Sequence, residues 1–346
     1  GRGNVFWLDG GENYLNTGGV RPSISQEAVH EFQVWRSNYS AEFGGGLGGI
    51  VNIVSRSGSD ELHGSLFGFL RHRSLQARNF FDPEGTAFTR TQAGATLGGP
   101  LRRGRTYAFA SFERLQSRES AFVPIGREDR GPFQRLRRTQ DDIAAFLIAT
   151  RNPEFARLGE LTRELLLTTN FPSTLELFRS NRGIFPFGET ATHGSLRLDH
   201  RFSDNHNAFL RANISSGDGQ NSQLEGITAF SRGVTSGISD QTIMLNDTFV
   251  LSPRLVSESR LSINRTRMSV RNRDTTGPSI DINGYGLFGK DWMLPTDFGE
   301  WHGQLQQNFF FAAGVHNIRF GGDYNPVRSA ALLQTNFGGR VTFGEY

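Results

Sequence analysis

Acidic side chains gather in one stretch of this sequence. Asp141, Asp142, Glu154, Glu160 and Glu164 lie close together along the chain. Two carboxyl groups held about 5–9 Å apart can hydrolyse a glycosidic bond by acid–base catalysis. The same residues lie on segments of helical periodicity, where carboxylates commonly form the solvated face. The cluster is compatible with an extracellular β-rich hydrolase, but we favour a solvated surface and predict that the protein is not an enzyme.

A glycine-rich run and the histidines are the other candidates for a cofactor or metal site. Gly44–Gly49 contains G-x-G-x-x-G, which binds a dinucleotide when it follows a strand and opens a helix. Here Ile50–Ser55 follows and predicts a strand, so close packing of glycine backbone is the preferred interpretation. The eight histidines have no metal-binding spacing, and neither G-x-S-x-G nor cysteine is present. We therefore predict no cofactor, no metal and no catalytic residue.

The elements that would position these residues are strands with connections of two kinds. From Leu62 onward, candidate strands of about ten residues are joined by alternately long and short connections. The short ones are Leu101–Arg105, Ser203–His206, Ser252–Arg254 and Ala312–His316, and the long ones are Arg73–Thr89, Arg118–Ala191, Gly217–Ser239 and Arg271–Glu300. Outer-membrane barrels have tight turns on the periplasmic side and long loops outside. The alternation predicts a barrel of this type.

Side-chain patterning within the strands agrees with this interpretation. In Leu196–Phe202 and again in Ala208–Ser215, apolar and polar residues alternate, with Phe209 as the exception on the polar face. Mean hydropathy is −0.42, and no apolar run approaches the roughly 18 residues of a membrane helix. A soluble sandwich would alternate as well, so the order of the connections is what favours a membrane barrel. Trp301, beside a predicted strand start, is the tryptophan that we expect at the membrane interface.

Two parts of the chain depart from the strand pattern. Gly1–Ser59 predicts a small α+β unit, with a helix over Ser25–Gln33 that Ser25 caps. The longest connection predicts two further helices, Asp141–Thr150 and Pro153–Leu167, which could form a structured cap outside the barrel. Net charge is +3, one of the 37 basic residues is lysine, and the arginines are scattered, so we predict no nucleic-acid partner.

Several stretches resemble TonB-dependent receptors. The segment Val5–Asn13 is similar to the F-x-[LI]-D-G-x-[DE]-N element of their plug domains. The second half of the plug is resembled by Ala28–Val34, Asn38–Gly44 and Gly48–Gly58. The first barrel strands of the Oar-like branch are resembled by His63–Ser65, Ala77–Asp82 and Leu97–Leu101, and its later strands by Leu196–Phe202 and Arg319–Tyr324. The resemblance implies residues 1–59 as the C-terminal part of a plug and residues 60–346 as the N-terminal part of a barrel. We predict a mainly β fold with about ten antiparallel strands of an incomplete transmembrane barrel, and we expect an internal fragment of a longer protein.

The resemblance also implies a function and partners. It predicts an outer-membrane receptor that binds an external ligand and imports it with energy from the TonB complex of the inner membrane, contacted through the N-terminal plug region. Outer-membrane lipid is the other expected partner. The alternative is a surface-exposed β-rich binding or adhesion protein without active transport.

Four residues at the start of the first long connection are the candidates for ligand binding. Arg71, Arg73, Arg78 and Asn79 could contact an anionic or peptide-like ligand. Phosphate contacts at the membrane rim and plain solvation are the alternatives for the same residues.

Overall fold

The computed structural model describes residues 3–21, 24–36, 39–40, 42–44, 48–75, 77, 86–125, 132–165, 172–224, 226–283 and 286–343. The fold is mainly β, with 63% of residues in strands and 11% in helices. A small sheet near the N-terminus is followed by one large antiparallel sheet, as predicted.

Residues 3–57, which we call the inner unit, contain the small sheet. Its strands are β1 (Val5–Leu8), β2 (Gly11–Glu12), β3 (Val29–Trp35) and β4 (Ile50–Ser55), in the order β2-β1-β4-β3. Strands β1 and β4 pair in parallel, so the buried residues Val5, Trp7 and Ile50 lie together. The ring of Phe43 packs edge-on against Trp7, with 5.1 Å between ring centroids.

The predicted helix over Ser25–Gln33 is wrong beyond its first turn. A 3-10 turn spans Gln26–Ala28, and the hydroxyl of Ser25 accepts a hydrogen bond from the Glu27 N–H at 3.3 Å, as expected of a cap. The chain then enters β3, whose residues pair with β4. Inter-strand hydrogen bonding to β4 therefore overrides a short helical pattern, which is only a weak signal by itself.

The glycines before β4 allow close backbone packing. A Cβ on Gly48 would collide with the carbonyl oxygen of Gly3, and one on Gly49 would lie 3.0 Å from the carbonyl oxygen of Trp35. A strand and not a helix follows them. The packing interpretation is confirmed for these two glycines, whereas residues 45–47 lie outside the described residues.

The large sheet, which we call the wall, has ten strands. They are β5 (His63–His72), β6 (Phe88–Arg102), β7 (Thr106–Val123), β8 (Gly183–Ser203), β9 (His206–Gln220), β10 (Val234–Ser252), β11 (Leu255–Asn272), β14 (Thr296–Ala313), β15 (His316–Tyr324) and β16 (Val327–Leu333). Each pairs antiparallel with its neighbours, and β15 and β16 follow each other along one edge of β14. Pro326 lies at the break between them, where a residue without an N–H cannot donate to the ladder.

The alternation of short and long connections is confirmed. The short turns are residues 103–105, 204–205, 253–254 and 314–315, and the long loops are residues 73–87, 124–182, 221–233 and 273–295. Seven of the ten wall strands are longer than the predicted ten residues, with 21 in β8 and 19 in β10, whereas β5 has 10, β15 has 9 and β16 has 7. Backbone pairing continues past the point where apolar alternation stops, because the ladder needs only N–H and C=O groups.

The two faces of the wall carry opposite side chains. Leu210, Leu245, Leu261 and Leu305 are register partners in one row across β9, β10, β11 and β14, and all are 43–54% exposed on the outer face. The opposite face packs on the inner unit and is polar. Phe209, predicted as an exception on that face, lies under the guanidinium of Arg197, with 4.0 Å from Cζ to the ring centroid, and the buried Phe109 and Met244 are further apolar residues there. Trp301 is half exposed on the outer face. It pairs with Arg265, the next outer-face residue of β11 after Leu261 and Ile263 in the direction of the long loops.

The long loops fold into structure of their own. Helices α1 (Pro132–Ala149) and α2 (Pro153–Leu165) confirm the two predicted helices, although α1 begins nine residues before the predicted start, and α3 (Pro172–Asn181) was not predicted. Strands β12 (Ser279–Ile282), β13 (Gly286–Gly289) and β17 (Arg340–Phe343) form a three-stranded sheet among the loops. Among the helices in the described residues, none has the length and apolar character needed to cross a membrane.

Candidate functional site

The inner face of the wall buries polar side chains where the inner unit packs against it. Arg211, Asn213, Asp240, Thr266 and Glu300 are each at most 2% exposed. Polar groups are expensive to bury unless they find partners, so the contacts they make define the site. These partners come largely from the inner unit.

The turn after β1 is the first contact. Asp9 and Gly10 have positive φ values of 50° and 78°, which glycine accepts readily and aspartate tolerates. The Asp9 carboxylate accepts hydrogen bonds from the backbone N–H and the hydroxyl of Ser55, both at 2.7 Å. It also pairs with Arg211 and lies 3.5 Å from Arg197, two arginines of the wall. One carboxylate therefore links β1, β4 and the wall.

The residues after Asp9 fit tightly against the wall. A Cβ on Gly10 would lie 2.7 Å from Cζ of Arg260, and one on Gly11 would lie 3.4 Å from the sulfur of Met244. The N–H of Glu12 donates to Oε1 of Gln304 at 2.9 Å. The Asp9-Gly10 pair is thus explained by a turn that needs positive φ and, at Gly10, by the Arg260 side chain, which leaves no room for a Cβ, whereas a Cβ on Gly11 would make ordinary contact with Met244.

Arg21 forms the second contact. Its Nε donates to Asp240 at 3.1 Å and its Nη2 donates to Thr266 at 2.8 Å. The two charged side chains are 0% and 1% exposed. Thr266 also donates to Asp240, so the carboxylate is held by both partners. A buried pair of this kind strongly resists removal of either charge, because the other would remain buried without a partner.

Further hydrogen bonds spread the contact over the wall. Ser25 donates to Glu113 of β7, and Ser57 donates to Asp199 of β8 at 2.9 Å. The Asn16 N–H donates to Glu300 of β14 at 3.2 Å. The inner unit is therefore fixed by strands from β7 to β14.

Open space remains between the two parts. A cavity of about 490 Å³ separates the inner unit from the wall near the short turns. Its lining includes Trp35 and Tyr39 from the inner unit and Arg197, Phe209 and Arg260 from the wall. Cavities of this size can hold a small molecule.

The long loops pack around a second, external core. Val123, Ile125, Phe178, Leu224, Ala229 and Phe288 are buried together, and we call them the external cluster. Phe178 of α3 meets Phe288 of β13 edge-on, with 5.1 Å between centroids. Three long loops are thereby joined to one another.

An ion-pair group lies beside this core. Asp281 accepts hydrogen bonds from Arg232 and, at 2.7 Å, from Arg340, while Arg340 stacks 4.8 Å from the Trp292 ring centroid. Burial alone would raise the pKa of Asp281, but the hydrogen bonds and charges of the two arginines outweigh it and hold the pKa below its ordinary value. The carboxylate is therefore charged at neutral pH and ties three loop segments together.

The residues predicted to bind ligand are placed as follows. Arg71 faces the inner side of the wall opposite Arg90, with its Cζ 5.1 Å from the Phe88 ring centroid. Arg73 begins a 3-10 turn at the start of the first long loop. Arg78 and Asn79 lie outside the described residues, so their part in the prediction stays a prediction.

The acidic candidates of the sequence lie on helices of the longest loop. Asp141, Asp142, Glu154 and Glu160 are exposed on α1 and α2, as a solvated face requires, and the side chain of Glu164 is outside the described part. No group of three or more His, Asp or Glu residues suited to a metal ion occurs in the described ranges.

Sequence reasoning missed the contacts of Asp9, Arg21, Arg211 and Asp240. Polar residues at alternate positions of the strands did signal an inner face, but alternation does not say which residues meet the inner unit. That pairing depends on contacts more than 200 positions apart in the chain.

Comparison with known proteins now identifies the class. Residues 54–346 match the family model described as outer membrane beta barrel domain, and the chain belongs to this family. It is an outer-membrane protein. A stretch of 118 residues is 36% identical to the TonB-dependent transporter Oar of Myxococcus xanthus, covering 32% of this chain and 11% of that protein.

Solved structures have the same fold. The outer-membrane transporter YddB of Escherichia coli aligns over 95% of this chain and 41% of its own, with a TM-score of 0.62 and 9% identity. The siderophore receptor PirA of Acinetobacter baumannii aligns over 94% and 40%, with a TM-score of 0.52 and 14% identity. The chain thus spans about two fifths of these structures. Its relatives are transporters and receptors, not enzymes.

Proposed function

We propose that this chain is part of a TonB-dependent receptor, in which residues 1–59 act as the end of a plug and residues 60–346 as the first part of the barrel. The observation that carries the proposal is the inner unit held to the inner face of the wall by buried ion pairs. A plug blocks a barrel only if it is anchored, and it admits a ligand only if the anchors can be released. Asp9 and Arg21 are the anchors in this proposal.

The proposed mechanism involves no covalent chemistry. An external ligand binds to the long loops and the inner unit, with Arg71, Arg73, Arg78 and Asn79 as candidate contacts. The TonB complex of the inner membrane then supplies the energy to displace or remodel the inner unit. Such release is a switch between two arrangements of one element. The ligand passes into the space along the wall, which includes the 490 Å³ cavity.

The test weakens the anchors and measures leakage. In the full-length protein in its native host, the double variant Asp9→Asn, Asp240→Asn should release the inner unit more easily and admit vancomycin, a large antibiotic that intact outer membranes exclude. Sensitivity should rise when the TonB complex is active and stay at the wild-type level when it is deleted. The control, Asp204→Asn, alters an exposed pair with Arg201 and should leave sensitivity unchanged.

A second function has one observation in its favour. The external cluster and the Asp281 group join several loops into one body, as a protein that only binds a partner would need. If the double variant leaks equally with and without the TonB complex, energised transport is contradicted and a surface-exposed binding or adhesion protein is favoured.

A further inference from the structure

A groove of about 680 Å³ lies on the wall between β9 and β16, toward the long loops. Most of its lining belongs to two neighbouring rows of outer-face residues, which include Ser239, Arg267 and Gly299 in one row and Gly237, Ser269 and Asp297 in the next. Ser216, Asp218, Ala330 and Leu332 continue these two rows, and the row between them contributes Ile238, Met268, Phe298 and Ala331, so ten of the fourteen lining residues are outer-face residues. The groove is therefore on the outer face, and it is separate from the contact with the inner unit.

Small residues form its floor. Gly237 of β10 and Gly299 of β14 lie in the two outer-face rows, on either side of β11, and have no side chain to fill the space. A Cβ on Gly299 would meet nothing within 4 Å. Volumes of roughly 300–1,000 Å³ suit a ligand of several rings, so the groove is larger than a lone phosphate requires.

Arginines surround the groove. Arg265 and Arg328 occupy the row below it, Arg267 lies in it, and Arg271 lies above it. Arg271 is paired with Asp297 at 2.6 Å, whereas Arg267 and Arg328 have no ion pair within the described part of the chain. A guanidinium group can donate two parallel hydrogen bonds to the oxygens of one phosphate. The serines and Asp218 can hydrogen-bond to sugar hydroxyls.

Below the arginines the outer face becomes apolar. Trp301 lies next to Arg265, whose Cζ is 4.9 Å from a ring centroid of the indole. Tryptophan and arginine together are typical of the level where lipid chains meet lipid headgroups. Ile243 and Ile263, then Leu245 and Leu261, follow in successive outer-face rows. An amphipathic molecule could therefore lay its chains on these rows while its headgroup enters the groove.

We propose that this groove binds the phosphorylated sugar headgroup of an outer-leaflet glycolipid. The arginines contact its phosphates, the polar rows contact its sugar hydroxyls, and the aliphatic rows below contact its acyl chains. The site lies on the external side, because the long loops extend from that end of the strands.

The test measures binding to the full-length receptor in nanodiscs. The probes are phosphorylated lipid A, its dephosphorylated form, phosphatidylglycerol and inorganic phosphate. Wild type should prefer phosphorylated lipid A to each of the others by at least tenfold. Arg267→Gln with Arg328→Gln should lose that preference. Gly299→Phe keeps every charge and fills the groove, and it should weaken binding of phosphorylated lipid A at least tenfold.

Gly322→Phe is the matched control. Gly322 is an exposed glycine at the short-turn end of the same face, and a Cβ there also meets nothing within 4 Å. This variant should bind as wild type does, and the thermal unfolding midpoint should establish that all variants are folded. Equal binding of phosphatidylglycerol, competition by inorganic phosphate alone, or unchanged binding in folded Gly299→Phe would each overturn the proposal.

Discussion

At the residue scale, Asp9 joins the two parts of the molecule. It bonds Ser55 within the inner unit and pairs with Arg197 and Arg211 across the contact. Asp9→Asn removes the charge and leaves the buried guanidinium of Arg211 without a carboxylate partner, whereas Arg197 keeps its pair with Asp199 at 2.8 Å. Breaking a buried pair in this way costs about 3–5 kcal/mol.

The expected result is local opening of the inner unit. Amide hydrogen exchange of Val5–Leu8 should become at least tenfold faster in Asp9→Asn, because these amides are protected only while β1 stays packed. Asp204→Asn, in an exposed pair with Arg201, should change exchange by less than twofold. Equal exchange in the two variants would mean that the Asp9 pairs contribute nothing to anchoring.

Gly10 gives a second prediction at the same scale. Gly10→Val places a β-branched residue at φ 78°, with Arg260 in its way, whereas Gly104→Val at φ 69° meets nothing within 4 Å. Both variants have backbone strain, but only the first also displaces a wall side chain. Thermal unfolding followed by circular dichroism should show the larger loss for Gly10→Val. If the two variants lose thermal stability equally, glycine is required at position 10 only because of its positive φ.

At the element scale, Asp281 makes the external loops sensitive to acid. Its pKa in the folded protein is below the ordinary value, so the ion pairs stabilise the loops fully above about pH 3.9 and are lost as pH falls through the lowered pKa. Asp281→Asn should be less stable than wild type at pH 7, and the difference should shrink below pH 4.

Fluorescence of Trp292, which stacks on Arg340, can follow this unfolding. The fluorescence of Trp292→Phe is subtracted to remove the contribution of the other tryptophans. Asp204→Asn serves as a control in which a carboxylate outside the loops is neutralised. A stability difference that stays constant from pH 7 to pH 3 would contradict the assignment to Asp281.

The same scale shows what the sequence could and could not predict. Strands and turns of the wall were predictable because each antiparallel hairpin is local, and its alternation and turn residues are visible in sequence. The helix over Ser25–Gln33 was wrong because β3 exists through pairing with β4, which begins 15 residues after β3 ends. Helix α3 was missed although Pro172 stands at its start, a common first helical position. Neither the Asp9 contacts nor the Asp281 group has a local signal, because both join segments brought together only by the complete fold.

At the scale of the whole molecule, the connections predict which parts of the protein meet each compartment. Protease added to intact cells that express the full-length protein should cut within residues 124–182. The turns at residues 204–205 and 253–254 should be cut only after the cells are opened. Mass spectrometry of the fragments gives the positions. Cleavage of both sets in intact cells would contradict the predicted orientation.

The two anchors have opposite polarity, and this matters for assembly. The inner unit offers a carboxylate at Asp9 and a guanidinium at Arg21, while the wall offers Arg211 to the first and Asp240 to the second. Arg211 of β9 pairs with Met244 of β10, and Met244 lies four residues after Asp240 on that strand. The two wall charges, Arg211 and Asp240, are therefore roughly 13 Å apart along the strands. An inner unit that entered at the wrong height would place Asp9 beside Asp240, and two unprotonated carboxylates would repel each other. The arrangement of charges therefore favours the observed position of the inner unit, which forms two buried ion pairs, over a shifted position, in which two carboxylates repel each other.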